Sequence, residues 1–344
     1  MATMKSVKTG AQNHIDLVDV ERPAPGPKDV LVKIRACGIC GTDTFFLHLG
    51  GMPAGADGTM RSIPLGHEPA GEIAEVGAEV TDLKVGDRVV VNPQGVPSGI
   101  IGCGGEHGAM SEYLLLEEAE IGRTVAVFPD TVPFDVASLN EPMAVARHAV
   151  NRTRPRSGDK VVVFGAGPIG LGAAIAYKLV GAHVVVVDIV AGRLEKALLV
   201  GADAVVDSAA ENVAERLIEL HGRAPASLVR GDRAATDIYL DAAGAPAVIR
   251  TVTGIARQGA TLGVVALHKE PVELDLGALL TTELTVVLSA GYPTEIFEVT
   301  RSIAADWERY AHIVSDTVPF AEVERALTLA ATPGASEKVV VTFA

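Results

Sequence analysis

The feature that most constrains the fold is a glycine pattern that directly follows a short apolar run. Residues 161–164 are Val-Val-Val-Phe, and glycines then occupy the first, third and sixth positions of the next six residues. Between a buried strand and a helix, such a pattern forms the phosphate-binding turn of a dinucleotide-binding unit, because glycine permits the tight turn and the helix N-terminus attracts phosphate. The predicted cofactor-binding residues of this turn are Gly165, Gly167, Pro168, Ile169 and Gly170.

An acidic residue after the next apolar run indicates which dinucleotide is bound. Asp188 follows residues 184–187, near the spacing of about 20 residues at which these units place the acid that binds ribose hydroxyls. Its carboxylate would repel a 2′-phosphate, so NAD is predicted rather than NADP. Arg193 leaves an alternative open, since a cation there could meet a 2′-phosphate, but we interpret it as stacking over the adenine.

The rest of the chain predicts an α/β protein with two domains. Near-continuous apolar runs recur at 204–206, 237–240, 260–265 and 284–288, as expected for a doubly wound parallel sheet that is buried on both faces. Before residue 117 the apolar runs are short and Pro and Gly separate them, which is typical of a β-rich domain. We expect a Rossmann domain at 152–290 and a β-rich domain formed by 1–151 and 291–344, to which a last strand at 338–341 returns.

Composition excludes several classes of partner. The chain has 344 residues, 29 Lys plus Arg against 43 Asp plus Glu, and a net charge of −14. With no basic cluster evident in the sequence, nucleic acid and membrane surfaces are not expected partners. The three cysteines are too few for a disulfide framework and no signal sequence is evident, so a cytoplasmic location is expected.

Two short motifs place metal-binding side chains among glycines. Residues 38–43 match G-x-C-G-[ST]-D and contain Cys40, and the segment from residue 66 matches G-H-E-x-x-G-x(5)-G-x-x-V and contains His67. Catalytic zinc takes three protein ligands from Cys, His and carboxylates and keeps one position open. The two motifs therefore predict a catalytic metal site.

With these motifs the chain resembles the zinc-containing medium-chain alcohol dehydrogenases, in particular the branch of polyol (sorbitol-like), butanediol and threonine dehydrogenases. The resemblance implies a GroES-like β-rich catalytic domain beside the Rossmann domain. It also implies one catalytic Zn²⁺ per chain, held by Cys40, His67 and either Glu68 or Glu141. Asp43 resembles the carboxylate that orients the histidine ligand, and Thr42 resembles the hydroxyl that binds the substrate alcohol and passes on its proton.

The resemblance further implies an activity and an assembly. The expected reaction transfers a hydride between a secondary alcohol, polyol or sugar-like alcohol and NAD, giving the ketone, with zinc as Lewis acid at the alcohol oxygen. The partner is a small-molecule alcohol or carbonyl compound, selected by a loop at residues 44–63. A homodimer or homotetramer is expected, because an apolar strand at 284–288 would otherwise leave an open sheet edge.

Two departures from the family pattern stand out. Phe45 replaces the usual relay histidine, so the proton must leave through water, the cofactor ribose or His48. Residues 92–110 contain only Cys103 where the family shows four closely spaced cysteines, so no structural zinc is expected.

Alternative interpretations remain at this point. Cys37 and Cys40 form a C-x-x-C pair, which could also be a redox dithiol. Zinc-free NADPH quinone or enone reductases, and NAD-binding proteins without catalysis, share the glycine turn. Within the zinc branch, a threonine or a sugar 1-dehydrogenase also fits.

Overall fold

The computed structural model describes residues 2–54, 58–225, 231–292, 294–332 and 334–344. The chain divides into two compact units, one formed by Met1–Glu141 with Ile296–Ala344 and the other by Pro142–Glu295. We call them unit 1 and unit 2. The functional boundaries at 151/152 and 290/291 stay predictions, whereas the compact units divide at 141/142 and 295/296.

The described strands, in chain order, are β1 (Thr3–Thr9), β2 (Ile15–Glu21), β3 (Val30–Gly38), β4 (Met52–Pro53), β5 (Met60–Arg61), β6 (Glu68–Val76), β7 (Arg88–Val91), β8 (Tyr113–Leu116), β9 (Val125–Val127), β10 (Lys160–Phe164), β11 (His183–Asp188), β12 (Ala204–Asp207), β13 (Ile238–Asp241), β14 (Thr261–Val264), β15 (Thr285–Leu288), β16 (Asp316–Pro319) and β17 (Val339–Thr342). The described α-helices are α1 (Gly41–Leu49), α2 (Phe134–Ala137), α3 (Asn140–Thr153), α4 (Pro168–Val180), α5 (Ala191–Leu199), α6 (Val213–His221), α7 (Pro246–Ile255), α8 (Leu276–Leu279), α9 (Ile296–Ala305), α10 (Trp307–Ala311) and α11 (Val323–Ala331).

Unit 2 contains one parallel sheet with the strand order β12-β11-β10-β13-β14-β15. The central strands β10, β11 and β13 are almost entirely buried, which explains their continuous apolar sequences. The parallel sheet predicted from those runs is confirmed. Strand β15 lies at one edge, where Val286 and Leu288 are exposed.

Unit 1 is built around a mixed sheet with the order β16-β17-β3-β6-β7-β9, and β8 also pairs with β3. Its interior side chains come from β3, β6, β7, β8 and β17. Strand β17 pairs antiparallel with the end of β3, so the predicted return of the C-terminal tail is confirmed. This pairing brings residue 338, just before β17, close to the segment that precedes α1.

The predicted substrate loop at 44–63 is wrong in its first part. Residues 44–49 continue helix α1, which begins directly after Cys40 and ends at Gly50 in a left-handed conformation with φ 79°. The Asp43 carboxylate accepts a hydrogen bond from the Cys40 N–H at 3.0 Å and so satisfies a free donor at the helix N-terminus. Strands β4 and β5 occupy part of the remainder, and residues 55–57 lie outside the described residues.

Among the described residues, no helix combines the length and the apolar character needed to cross a bilayer.

Candidate active site

Unit 1 brings together three of the predicted metal ligands. Cys40 lies at the N-terminus of α1, while His67 and Glu68 lie where β6 begins. One ligand atom from each side chain lies within 4.8 Å of the other two. His67 and Glu68 are buried, at 5% and 1% exposure, and Cys40 is half-buried. The arrangement is a thiol, an imidazole and a carboxylate that converge on one point.

Asp43 fixes this cluster from within the protein. Its Oδ2 accepts from the Cys40 N–H at 3.0 Å, its Oδ1 accepts from the Gly66 N–H at 2.9 Å, and Oδ1 lies 3.6 Å from His67 Nδ1. Burial alone would raise the pKa of the Asp43 carboxyl, but the His67 ring and the two N–H donors lower that pKa overall. Asp43 therefore stays ionised and orients both ligand-bearing segments.

The electrostatics of His67 favour a bound cation. Burial would lower the pKa of the imidazole, but the charge of Asp43 and hydrogen bonds with Asp43, Cys103 and Cys40 raise it well above its usual value. A metal ion would displace the proton from the ring and take over its positive charge.

The two carboxylate oxygens of Glu68 have different surroundings. Oε2 forms a buried ion pair with Lys338 Nζ, which also donates to Ile39 O at 3.0 Å. Oε1 is buried and has no hydrogen-bond partner among the described residues. Gly38 is required beside this pair, because a Cβ there would overlap Glu68 Oε2. An unpaired buried oxygen is costly, and coordination to a cation would satisfy it.

Glu141 lies in the first turn of α3 and is 8% exposed. Burial raises the pKa of its carboxyl to about 7, and the charges of Glu68 and Asp43 add to the effect, while His67 and Lys338 oppose it. The structure thus places Glu141 in the electrostatic neighbourhood of the cluster. The group of mutually close ligand atoms, however, contains Glu68.

The remaining predicted residues of unit 1 lie at the edge of the cluster. Thr42 Oγ1 is 3.6 Å from Cys40 Sγ. Phe45 is 50% exposed on α1. The exposed His48 has its Nδ1 3.1 Å from Asn13 Oδ1, so the ring is engaged away from the cluster.

The two other cysteines have different environments. Cys37 lies in β3 with no exposed surface, and burial raises the pKa of its thiol, which argues against a reactive C-x-x-C dithiol. Cys103 adopts φ 49° and its Sγ lies 3.4 Å from His67 Nδ1. This contact of Cys103 was not predicted, because its lone position among glycines gives no local signal of it.

These side chains fit a zinc ion. Thiolate, imidazole and carboxylate are the donors that catalytic zinc takes, and Glu68 Oε1, without a partner among the described residues, offers an acceptor oxygen. Asp43 supplies the carboxylate that a histidine ligand requires on its other side. Lys338 beside Glu68 was not predicted, since the two residues are 270 positions apart.

Unit 2 contains the predicted glycine turn between β10 and α4. Gly165 adopts φ 96°, and a Cβ there would lie 3.0 Å from the Ala242 and Ala243 backbone. A Cβ on Gly170 would overlap Gly165 O, so these two glycines permit the turn and close packing of the helix. Gly167 is the N-cap of α4 and faces open space. Pro168 and Ile169 form the first turn of the helix, whose free N–H groups favour an anion.

Asp188 ends β11 and binds the same turn. Its Oδ2 accepts from the Ala166 N–H at 2.7 Å, and its Oδ1 accepts from Ile189 and Val190 N–H at 2.7 and 2.9 Å. The carboxylate is thus held beside the glycine turn with an acceptor site remaining on Oδ2. Arg193 is half-buried on α5.

Comparison with known proteins gives the same family for both halves of the chain. Residues 26–126 match the alcohol dehydrogenase GroES-like domain and residues 168–306 match the zinc-binding dehydrogenase domain. The (R,R)-butanediol dehydrogenase of Bacillus subtilis (strain 168) is 31% identical over 320 residues, which cover 87% of this chain and 88% of the relative. The chain belongs to the zinc-containing medium-chain alcohol dehydrogenase family. The present chain is also 29% identical to the sorbitol dehydrogenase of Bombyx mori, and the match covers 96% of this chain and 95% of the relative.

A solved structure supports the same assignment. The 2R,3R-butanediol dehydrogenase of Bacillus subtilis superposes with a TM-score of 0.83 at 27% identity, covering 98% of this chain and 99% of that one. The predicted fold class, a Rossmann-type parallel sheet with a GroES-like domain, is therefore confirmed, and so is the polyol, butanediol and threonine branch. The present chain is an oxidoreductase of the alcohol and polyol type, and its family uses zinc and a nicotinamide dinucleotide.

Proposed function

We propose that the protein oxidises a secondary alcohol or polyol to the ketone with NAD, using one zinc ion per chain. Unit 1 would hold the metal and the substrate, and unit 2 would hold the cofactor. The observation that carries the proposal is the convergence of Cys40, His67 and Glu68 within 4.8 Å. The physiological substrate is a small-molecule alcohol or its carbonyl product.

We propose distinct roles for the side chains around that cluster. Cys40, His67 and Glu68 bind the metal, which when bound polarises the substrate oxygen and favours loss of its proton. Asp43 keeps the His67 ring in one orientation. Thr42 Oγ1, 3.6 Å from Cys40 Sγ, accepts the alcohol proton and passes it to water or to the cofactor ribose, since His48 is engaged with Asn13.

The two glutamates have different roles in this proposal. Glu68 pairs through Oε2 with Lys338 and leaves Oε1 for a cation. The pKa of Glu141 is raised to about 7, chiefly by burial, and among the described residues its carboxylate is not part of the group of mutually close ligand atoms. We infer that Glu68 binds the resting metal and that Glu141 serves as the alternative carboxylate when the ligand set changes.

NAD is proposed over NADP because of Asp188. Its carboxylate is fixed by three backbone N–H groups at the glycine turn, where ribose hydroxyls can donate to Oδ2. A 2′-phosphate at the same place would meet a negative charge. Gly165, Gly167 and Gly170, with Pro168 and Ile169, would receive the pyrophosphate, and Arg193 would stack over the adenine.

We also propose a homodimer or homotetramer. Strand β15 is an edge strand with Val286 46% and Leu288 68% exposed. Pairing of β15 with its symmetry-related copy would satisfy the edge N–H and C=O groups and cover these side chains. A cytoplasmic location agrees with the three free cysteines.

The decisive experiment combines metal analysis with a substrate screen. Purified protein should contain about one zinc per chain and reduce NAD with a secondary alcohol, diol, polyol, sugar or threonine. Cys40→Ser should lose zinc and turnover, whereas Cys103→Ser, the matched control, should keep one zinc. Zinc-free protein that still oxidises an alcohol at the wild-type rate would contradict the proposal.

A further inference from the structure

Unit 2 contains a second site, away from the glycine turn. A cavity of about 740 Å³ opens at the amino ends of the parallel strands, where Ile238, Thr261 and Thr285 begin β13, β14 and β15. The glycine turn follows the carboxyl end of β10. Because the amino and carboxyl ends of parallel strands lie at opposite edges of a sheet, this cavity is distinct from the glycine turn that is predicted to bind the dinucleotide.

Four arginines line this cavity. The last turn of α3 contributes Arg152, and the segment that follows this helix contributes Arg154 and Arg156. The segment after α7 contributes Arg257. The alternating pattern R-x-R-x-R was not recognised in the sequence as a basic cluster because the chain is acidic overall, at −14. The fold brings Arg257, which lies 101 positions after Arg156 in the sequence, to the same cavity.

Most acidic side chains of the cavity already have partners. Asp237 is paired with Arg257 and also accepts from the Lys160 N–H at 2.8 Å. Glu295 accepts from His148 Nδ1 and Asn151 Nδ2, each at 3.1 Å. These contacts pair the Asp237 carboxylate with a guanidinium and give the Glu295 carboxylate two nitrogen partners.

Two of the three arginines of the run, Arg154 and Arg156, remain available. Asp159 uses Oδ2 to accept from the backbone N–H of Arg156 at 2.7 Å, and Arg152 Nε donates to Leu288 O at 3.3 Å. Among the described residues, the exposed guanidinium groups of Arg154 and Arg156 form no ion pair or hydrogen bond. Interaction with the carbonyl end of α3 explains a cation at Arg152, but it does not explain three guanidiniums around one cavity.

We propose that this cavity binds a small molecule that carries two or more linked phosphate groups. A guanidinium forms paired hydrogen bonds to phosphate oxygens, and several guanidiniums together favour an anion with several charges. The volume suits a small ligand. The described lining has no Phe, Tyr or Trp to stack on a base, and its one imidazole, that of His148, lies against Glu295, so recognition rests on the phosphates. The site goes beyond the dehydrogenase activity, and its test does not depend on turnover.

Inorganic pyrophosphate is the probe for this site. Isothermal titration calorimetry is run on the full-length, zinc-loaded protein at fixed ionic strength with saturating NAD, which fills the dinucleotide cradle. Wild type should bind one pyrophosphate per chain. Arg154→Gln and Arg156→Gln should each weaken binding about tenfold, as expected for the loss of one charged hydrogen-bond donor.

The matched control is Arg223→Gln. It removes the same charge from unit 2, but Arg223 lies outside this cavity and is paired with Asp232 at the surface. Its pyrophosphate affinity should equal that of the wild type. Absence of binding at millimolar pyrophosphate, equal weakening in all three variants, or citrate binding as tightly as pyrophosphate would each overturn the proposal.

Discussion

The buried ion pair between Glu68 and Lys338 gives the sharpest prediction. The two side chains are 1% and 3% exposed, and Lys338 Nζ also donates to Ile39 O at 3.0 Å. Lys338→Met keeps a long unbranched side chain but removes the charge. Glu68 would then be a buried carboxylate with neither oxygen paired, because Oε1 already has no partner among the described residues.

The expected loss of stability follows from that unpaired charge. Removing one partner of a buried pair costs about 3–5 kcal/mol, so zinc-free Lys338→Met should unfold at clearly lower denaturant concentration. Glu68→Gln in the Lys338→Met background removes the unpaired charge of the carboxylate. This double variant should recover most of the lost free energy of unfolding. Zinc should reduce the defect of the single variant, because the cation gives Glu68 a new partner.

Tryptophan fluorescence is a suitable assay for this prediction. The chain has one tryptophan, Trp307 in α10 of unit 1, so its emission reports on the unit that contains the pair. The control is Lys5→Met, which breaks the ion pair between Lys5 and Asp19 at the surface. The side chains of Lys5 and Asp19 are 45% and 61% exposed. That loss should stay below about 1 kcal/mol. A Lys338→Met variant as stable as Lys5→Met, or no recovery in the double variant, would refute the reasoning.

Three further predictions concern the metal, the cofactor and pH. His67→Ala should lose zinc and turnover but keep NAD affinity, measured by metal content and NAD titration; retained zinc would contradict this. Asp188→Ala should lower the NAD to NADP ratio of kcat/KM at least tenfold, and an unchanged ratio would show that Asp188 does not discriminate. Burial, with help from His183 and Lys160, lowers the pKa of His221 to about 4, so its contribution to stability is present above pH 6.5 and is lost as pH falls toward 4. Since each pKa unit is worth about 1.4 kcal/mol, the full loss is about 3 kcal/mol; His221→Gln should be less sensitive to acid in denaturation monitored by circular dichroism, and an equal acid sensitivity would contradict the assignment.

Local sequence patterns predicted the elements of unit 2 well. The apolar runs at 161–164 and 184–187 correspond to β10 and β11, because a strand that is buried on both faces needs apolar side chains at every position. The glycine turn could be predicted equally well from the sequence, since φ 96° at Gly165 is a conformation that residues with a side chain disfavour.

Helix α1 was harder to predict. Its sequence is rich in Phe and Leu, and only Asp43 and Leu47 are buried, so the apolar pattern marks no clear helical face. The N-terminal stabilisation by Asp43 was visible as a motif, but we interpreted that motif as metal chemistry. The two interpretations are compatible, because the same carboxylate accepts from the Cys40 N–H and lies 3.6 Å from His67 Nδ1; the metal role stays a prediction.

The parts of the site that the sequence did not reveal come from distant segments. Motif spacing predicts a ligand when its chemistry and its neighbours lie in one short run, as for Cys40 and His67. The charge environment of these ligands depends on strand pairing instead: β17 pairs with β3 and brings Lys338 to Glu68, and no local pattern encodes that contact. Lys338 pairs with Oε2 of Glu68 inside unit 1, and in our proposal Oε1 remains for the metal. This contact joins residues that are 270 positions apart, and the Lys338→Met variant tests both the ion pair and the strand pairing that creates it.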